Sequence, residues 1–390
     1  MNRFDKIIDR KSTKCYKWDY NKELFGKEDL LSMWVADMDF QAPPGVLEVL
    51  QKRVDHGVFG YTGLTYSFYD SIINWMKERF DWEIKKDWII ATPGIVPSIN
   101  FAIQTYTEKN DKILIQTPVY YPFFTSIENN ERTLVISELK LRDDHYEMDF
   151  ADLEKKLADD VKMMILCSPH NPVGRVWKFD ELQKVSELCL KYNVLLISDE
   201  IHSDLIFNSY KHIPIPTISK DIANNSLTMF APSKTFNVAG LSLSYVIIPN
   251  KKNRVKFQKT LLNLGLHGGN VFGIEALEAS YRYGQKWLEE LLIYVENNYT
   301  FVQQYLQNNI PQIKPIKMEG TYLLWLDCRK MGLSQKELVK FFINKAGLAL
   351  NDGSKFGEDG EGFMRINLGC PKKLIEQALF QLELAIKNTK

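Results

Sequence analysis

Along the chain, short apolar runs end in Gly, Pro, Ser or Asp and give way to stretches with helical periodicity. Ile113–Pro118 (ILIQTP), Met163–Pro169 (MMILCSP) and Val194–Asp199 (VLLISD) are three such runs; Leu227–Phe230 and Ser244–Ile248 read the same way. A helix is predicted from Asp180 to Asn193, just ahead of the third run. Uninterrupted apolar runs suit strands covered on both faces, and their alternation with helices predicts an α/β fold with a mostly parallel sheet and flanking helices. In such a sheet ligands bind beyond the carboxyl ends of the strands. Chemistry is therefore expected in Ser168–Asn171, Asp199–His202 and Ser233–Lys234.

From about Tyr283 the pattern changes. A helical stretch rich in Glu, Leu and Tyr runs to about Asn308. It is followed by Gly320–Asp327, a helix near Ser334–Ala346, a loop rich in Gly and Asp over Asn351–Gly362, the strand-like Phe363–Asn367 and a last helix. This predicts a second, smaller α+β domain, with the N-terminal segment up to about Pro43 packed against it. The expected division is a large domain over 44–283 and a small one from 1–43 and 284–390. A chain of 390 residues is long enough for two domains.

The 49 basic and 49 acidic residues balance, and no block of like charge occurs. That argues against nucleic acid or an anionic membrane as the main partner. No apolar stretch is long enough to span a bilayer. The opening MNRFDKIIDRKSTK lacks the apolar run of a signal peptide. The cysteines (15, 167, 189, 328 and 370) are odd in number, far apart and form no CxxC pair. A disulfide framework or zinc knuckle is not expected, and a reducing, cytoplasmic setting is.

Four segments carry candidate chemistry. Ala231–Gly240 (APSKTFNVAG) puts Lys234 just after a buried run. An unpaired buried ammonium is costly, whereas an amine of lowered pKa is a nucleophile suited to a Schiff base; a lysine reaching solvent is the alternative. Asp199–His202 (DEIH) ends another run, where a buried carboxylate needs a cation. The protonated ring nitrogen of pyridoxal phosphate (PLP) is one candidate; a metal ion or a structural salt bridge are the others. In Ser168–Gly174 (SPHNPVG) two prolines and a glycine fix a loop. There Asn171 is a candidate donor to a cofactor oxygen, and an ordinary turn is the other reading. Ala91–Ser98 (ATPGIVPS) turns through Gly94 into a helix whose free N–H groups suit a phosphate. It matches neither a Walker loop nor GxGxxG.

In this order and spacing, NPVG, DEIH and SKTFNVAGL resemble the fold-type I PLP enzymes of the aminotransferase superfamily. Trp34–Phe40 (WVADMDF), Gly60–Gly63 (GYTG), Thr117–Phe123 (TPVYYPF), Cys167–Gly174 and Ala231–Asn237 are similar to the carbon–sulfur lyases of the cystathionine β-lyase and cystalysin type. The likeness covers nearly the whole chain.

The resemblance implies roles. Lys234 would form the Schiff base and shuttle the proton. Asp199 would pair with the pyridinium nitrogen, and Asn171 would bond the ring hydroxyl oxygen. Tyr120 would stack on the ring, with His202 also in the cofactor site and Tyr121 facing substrate. Backbone at Gly94, Ile95 and Val96 and the Ser233 hydroxyl would serve the phosphate. Tyr61 would reach that phosphate from a neighbouring subunit, which implies a homodimer with shared sites. Arg365 would clamp the substrate α-carboxylate, with Val35 and Ala36 lining that end of the pocket. Some residues carry plainer alternatives: Arg365 as a structural ion pair, Trp34 as packing between domains, one of Tyr120 and Tyr121 as core, and His170 as an ordinary loop residue.

The chain departs from typical aminotransferases at His202, Ala231 and Ser242, where those enzymes carry Tyr, Ser and Arg. The lyase branch shares these departures. The implied activity is β-elimination from L-cystathionine, L-cysteine or a related thiol amino acid, giving pyruvate, ammonia and a thiol or sulfide. The alternatives are a PLP-dependent aminotransferase and a PLP-binding regulatory protein with secondary lyase activity.

Overall fold

The computed structural model describes residues 2–266 and 268–388. Its centre is a seven-stranded sheet made, in chain order, of β1 (Ile89–Thr92), β2 (Lys112–Thr117), β3 (Thr133–Glu138), β4 (Val161–Cys167), β5 (Leu195–Asp199), β6 (Ser226–Phe230) and β7 (Ser244–Ile247). Across the sheet the order is β1-β7-β6-β5-β4-β2-β3. The apolar runs are these strands, and both faces are covered. Ile113, Ile115, Met163 and Ile165 pack with Ile99 and Ile103 of α1 (Ile95–Tyr106) on one face. Leu114, Met164 and Leu166 pack with Leu182, Val185 and Cys189 of α2 (Phe179–Lys191) on the other.

β7 is the exception to the parallel pattern, pairing antiparallel with both β1 and β6. The connection from Ala231 to Leu243 holds only the short helix α3 (Pro232–Thr235) and a 3-10 turn. It makes no crossover, so β7 starts at the edge where β6 ends and runs back. The carboxyl ends of the six other strands therefore share one edge of the sheet. α2 spans Phe179–Lys191, two residues short of the predicted end, because Asn193 turns to φ 54°.

The C-terminal part begins with α4 (Gln285–Asn309) and forms an antiparallel four-stranded sheet. Its two long strands are β8 (Leu323–Asp327) and β9 (Phe363–Asn367), flanked by Lys314–Pro315 and Asn351–Asp352. The N-terminal segment joins this part, since Leu31–Ser32 pairs in parallel with Leu348–Ala349. No helix among the described residues is long and apolar enough to cross a membrane.

Candidate active site

At the carboxyl edge of the large sheet lies a cavity of about 230 Å³. Its lining includes Gly94, Ile95 and Val96 from the start of α1, Tyr120 and Asn171 from loops, and Asp199, His202, Ser233 and Lys234. Strand order explains the convergence. β4, β5 and β6 are neighbours, and their ends deliver the loop with Asn171, the Asp199 carboxylate and the helix with Lys234.

Asp199 is buried, and its carboxylate accepts one hydrogen bond, from the Ile201 N–H at 3.1 Å. Burial pushes it up to about 7, against the opposing pull of Lys234. No ion pair to Asp199 occurs among the described residues. Lys234 is buried too, which pushes it down to about 8 although Asp37 and Asp199 favour its charge. Its Nζ donates to the Ala36 carbonyl at 2.6 Å. His202 is pushed down to about 3 by burial and by the charges of Lys234 and Arg365, so its ring is neutral. That ring meets Tyr322 edge-on at 6.2 Å.

Arg365 projects from β9. Its guanidinium donates to Asn171 Oδ1 (2.9 Å), to the Trp34 carbonyl (2.9 Å) and to Asn351 Oδ1 (2.6 Å), and it lies over the Phe356 ring at 4.9 Å. All three acceptors are neutral oxygens. Burial lowers Arg365 to about 10, and it stays a cation at neutral pH. Tyr121 is partly exposed and does not line the cavity; its ring lies 5.3 Å from Tyr120, which does, and 5.9 Å from Phe356.

Not every expected residue reaches the cavity. Ala36 lines it, but the Val35 side chain packs against the cluster of Leu30, Trp34 and Ala349. The Trp34 ring turns toward Tyr16 and Phe25, so only its carbonyl serves the site. Tyr61 is fully exposed, beside exposed Val58 and Phe59, and does not line the cavity of its own chain. His170 is buried with Nε2 2.9 Å from the Pro118 carbonyl, and burial pushes it down to about 4. Ala231 and Ser242 line the cavity with His202, so all three departures from the aminotransferase pattern fall in the site itself.

Sequence reasoning missed the supports. Tyr322 donates to the Ala36 carbonyl at 2.9 Å. Asn237, at φ 57°, bonds Met38 N–H and the Met38 and Phe40 carbonyls; Asn367 bonds the Val35 and Asp37 carbonyls. Together they fix the strap of residues 34–40 over Lys234. Asn237 lies inside the motif around Lys234, and an amide among apolar neighbours was the available signal. Gly174 docks the Asn171 loop onto the C-terminal part: its carbonyl accepts from Glu319 N–H at 2.9 Å. At φ +70°, and with Met318 3.1 Å from where a Cβ would sit, this position requires glycine.

The donor set suits PLP. A buried carboxylate without a cationic partner faces the same space as a lysine of lowered proton affinity. The start of α1 leaves the Ile95 and Val96 N–H groups without intrahelical acceptors, as an anion site requires. No cluster of three or more His, Cys, Asp or Glu placed to hold a metal occurs among the described residues.

Comparison with known proteins points the same way. Residues 28–382 match the family model for aminotransferase class I and II. The chain is 44% identical over 384 residues to cystathionine beta-lyase PatB of Bacillus subtilis, covering 98% of this chain and 99% of that one. Cystalysin of Treponema denticola, whose crystal structure contains pyridoxal 5'-phosphate, superposes with a TM-score of 0.97 at 40% identity, over the whole of both chains. A PLP-bound protein of Clostridium difficile 630, provisionally called an aminotransferase, gives 0.97 at 46% identity, covering 99% of this chain and 100% of that one.

Proposed function

The chain belongs to the aminotransferase class I and II family, and we propose that it is a PLP-dependent carbon–sulfur β-lyase acting on L-cystathionine, L-cysteine or a related thiol amino acid. The observation that carries this reading is the near full-length 44% identity to a cystathionine β-lyase, joined to a cavity in which Lys234, Asp199 and Asn171 converge.

Bound in that cavity, PLP supplies an electron sink for the charge left on Cα when its proton is removed. Asp199 would face the ring nitrogen, and its return to an ionised carboxylate would hold the proton there. Asn171 would donate to the ring hydroxyl oxygen, with Tyr120 against the ring and the neutral His202 also lining its site. Ile95 N–H, Val96 N–H and the Ser233 hydroxyl would hold the phosphate beside Gly94. Arg365 would take the substrate α-carboxylate on its fork, with Ala36 and Tyr121 bounding that end. Lys234, already near neutral in its proton affinity, would accept the Cα proton. The leaving group at Cβ would be a thiolate, and a thiol of pKa about 8.5 makes a far better leaving group than an alcohol does. The released aminoacrylate hydrolyses to pyruvate and ammonia.

The division into 44–283 and 1–43 with 284–390 belongs to the same proposal. It would put Lys234, Asp199 and Asn171 on one unit and Arg365 and Ala36 on the other. We also propose a homodimer in which Tyr61 serves the partner's phosphate site. Exposed Val58, Phe59, Tyr61 and Tyr66 support it as a surface awaiting cover. A cytoplasmic location is supported by five free cysteines.

Transamination is the second reading, favoured by the likeness to the Clostridium protein. Assaying sulfide, homocysteine and pyruvate from cystathionine, cysteine and cystine separates the two. β-Elimination yields pyruvate without an added oxo acid; a product mixture lacking pyruvate would overturn the lyase reading.

A further inference from the structure

The strap that covers Lys234 carries a charge cluster the chemistry above does not use. Between Ala36, which accepts from Lys234, and Met38, held by Asn237, lies Asp37. Arg10 grips its carboxylate with both terminal nitrogens, at 3.1 and 2.6 Å. Lys17 Nζ stands 3.7 Å from the same carboxylate and 2.6 Å from Asp39. Asp39 also takes Arg10 at 2.7 Å and the Trp18 indole N–H at 3.0 Å. Lys17 and Asp39 are buried, while Arg10 retains some exposure. Two cations and two anions thus balance one another at the strap, beginning one residue past the Ala36 carbonyl that accepts from Lys234.

We propose that Asp37 is an electrostatic positioning residue for Lys234, and that Arg10 sets how much of its charge the amine feels. The inference rests on the reading of Lys234 as the amine that takes PLP and moves the proton. Three charged groups act on that amine, Asp37 from the strap, Asp199 from β5 and Arg365 from β9, while the titratable His202, which also feels Lys234, is neutral. Burial disfavours the ammonium most; Asp37 is the stronger of the two anions that favour it, and Arg365 opposes it. With cofactor bound, Asp199 would be committed to the ring nitrogen. Asp37 then remains as the anion that keeps Lys234 able to hold the proton it has taken. Arg10, by neutralising Asp37 in part, keeps the amine able to release it.

The two residues therefore act in opposite senses. Asp37→Asn removes the anion, so Lys234 loses its proton more readily. Arg10→Gln leaves Asp37 less compensated, so Lys234 holds its proton more tightly, with Lys17 limiting the size of the effect. Two pH profiles read this. One is the rate at which the full chain, freed of PLP, recaptures it, followed by visible absorbance, since attack on the aldehyde needs the neutral amine. The other is kcat of the holoenzyme. In both, the acid limb should move down in pH for Asp37→Asn and up for Arg10→Gln, each by about 1 unit, the low end of the range for a nearby charge. Arg10→Lys should restore the wild-type limb, and KM should change little.

Limbs that move the same way in both variants, or plateaus that fall without a shift, would show a loosened strap and overturn the proposal. If one variant does not fold, an unshifted limb in the other overturns it equally. Failure of the underlying reading looks different: Lys234→Ala would still form pyruvate, whatever the strap variants do.

Discussion

The guanidinium of Arg365 and the side-chain oxygen of Asn171 are 2.9 Å apart, so a cation from the four-stranded sheet closes onto the loop that follows β4. Its other acceptors, the Trp34 carbonyl and Asn351 Oδ1, are also neutral. A buried guanidinium held only by neutral oxygens gains most from an anion able to accept two parallel N–H bonds. An α-carboxylate is such an anion.

Arg365→Lys should therefore fail although it keeps the charge, because an ammonium cannot reproduce the fork that spans Asn171, Asn351 and substrate. The expected loss is about 1.5–3 kcal/mol, the range for hydrogen bonds to charged groups, or about 10- to 150-fold in kcat/KM. Steady-state kinetics check it. An unchanged kcat/KM would place the carboxylate elsewhere.

Asp199 gives a pH-dependent stability. Burial raises it from 3.8 to about 7 in the folded, cofactor-free chain. Between those values the folded state binds more protons than the unfolded one, so stability falls as pH rises through that window. Buried His170 and His202, held below their ordinary range, contribute the opposite slope, so the fall is read as a difference: from pH 4 to pH 8 the cofactor-free wild type should lose melting temperature relative to Asp199→Asn. PLP should remove this loss, by giving the ionised carboxylate a cationic partner. Parallel pH curves for wild type and Asp199→Asn would mean that this carboxylate is not the group that titrates.

Much of this site was legible in the sequence because of how the sheet is buried. Strands covered on both faces read as apolar runs, so the polar residues at their ends, Asn171, Asp199 and Lys234, stood out. The direction of β7 was not legible, since Ser244–Ile247 is apolar read either way and only the absent crossover decides it. Tyr322, Asn351 and Phe356 were missed because neutral residues that support a charge carry no spacing of their own. Lys17 looks like a solvated residue in a polar opening segment, yet it is 1% exposed; only Asp39, brought next to it by folding, accounts for that. Trp34 shows the opposite limit, since its backbone rather than its ring serves the site.

Mixing two impaired variants tests the shared site. Tyr61→Phe and Lys234→Ala homodimers should each be weak. After subunit exchange, each heterodimer can assemble one intact site, from Lys234 of one chain and Tyr61 of the other. An equimolar random mixture should recover about a quarter of the wild-type sites. If Tyr61→Phe alone is badly impaired and exchange is confirmed, yet no activity returns, Tyr61 serves its own subunit.

The most direct test is the balance of products from L-cystathionine with no 2-oxo acid present. The purified holoenzyme should release pyruvate and homocysteine in equal amounts over many turnovers, and Lys234→Ala should release neither. Substrate consumed only when a 2-oxo acid is supplied, with no thiol set free, would contradict β-elimination and make the protein an aminotransferase.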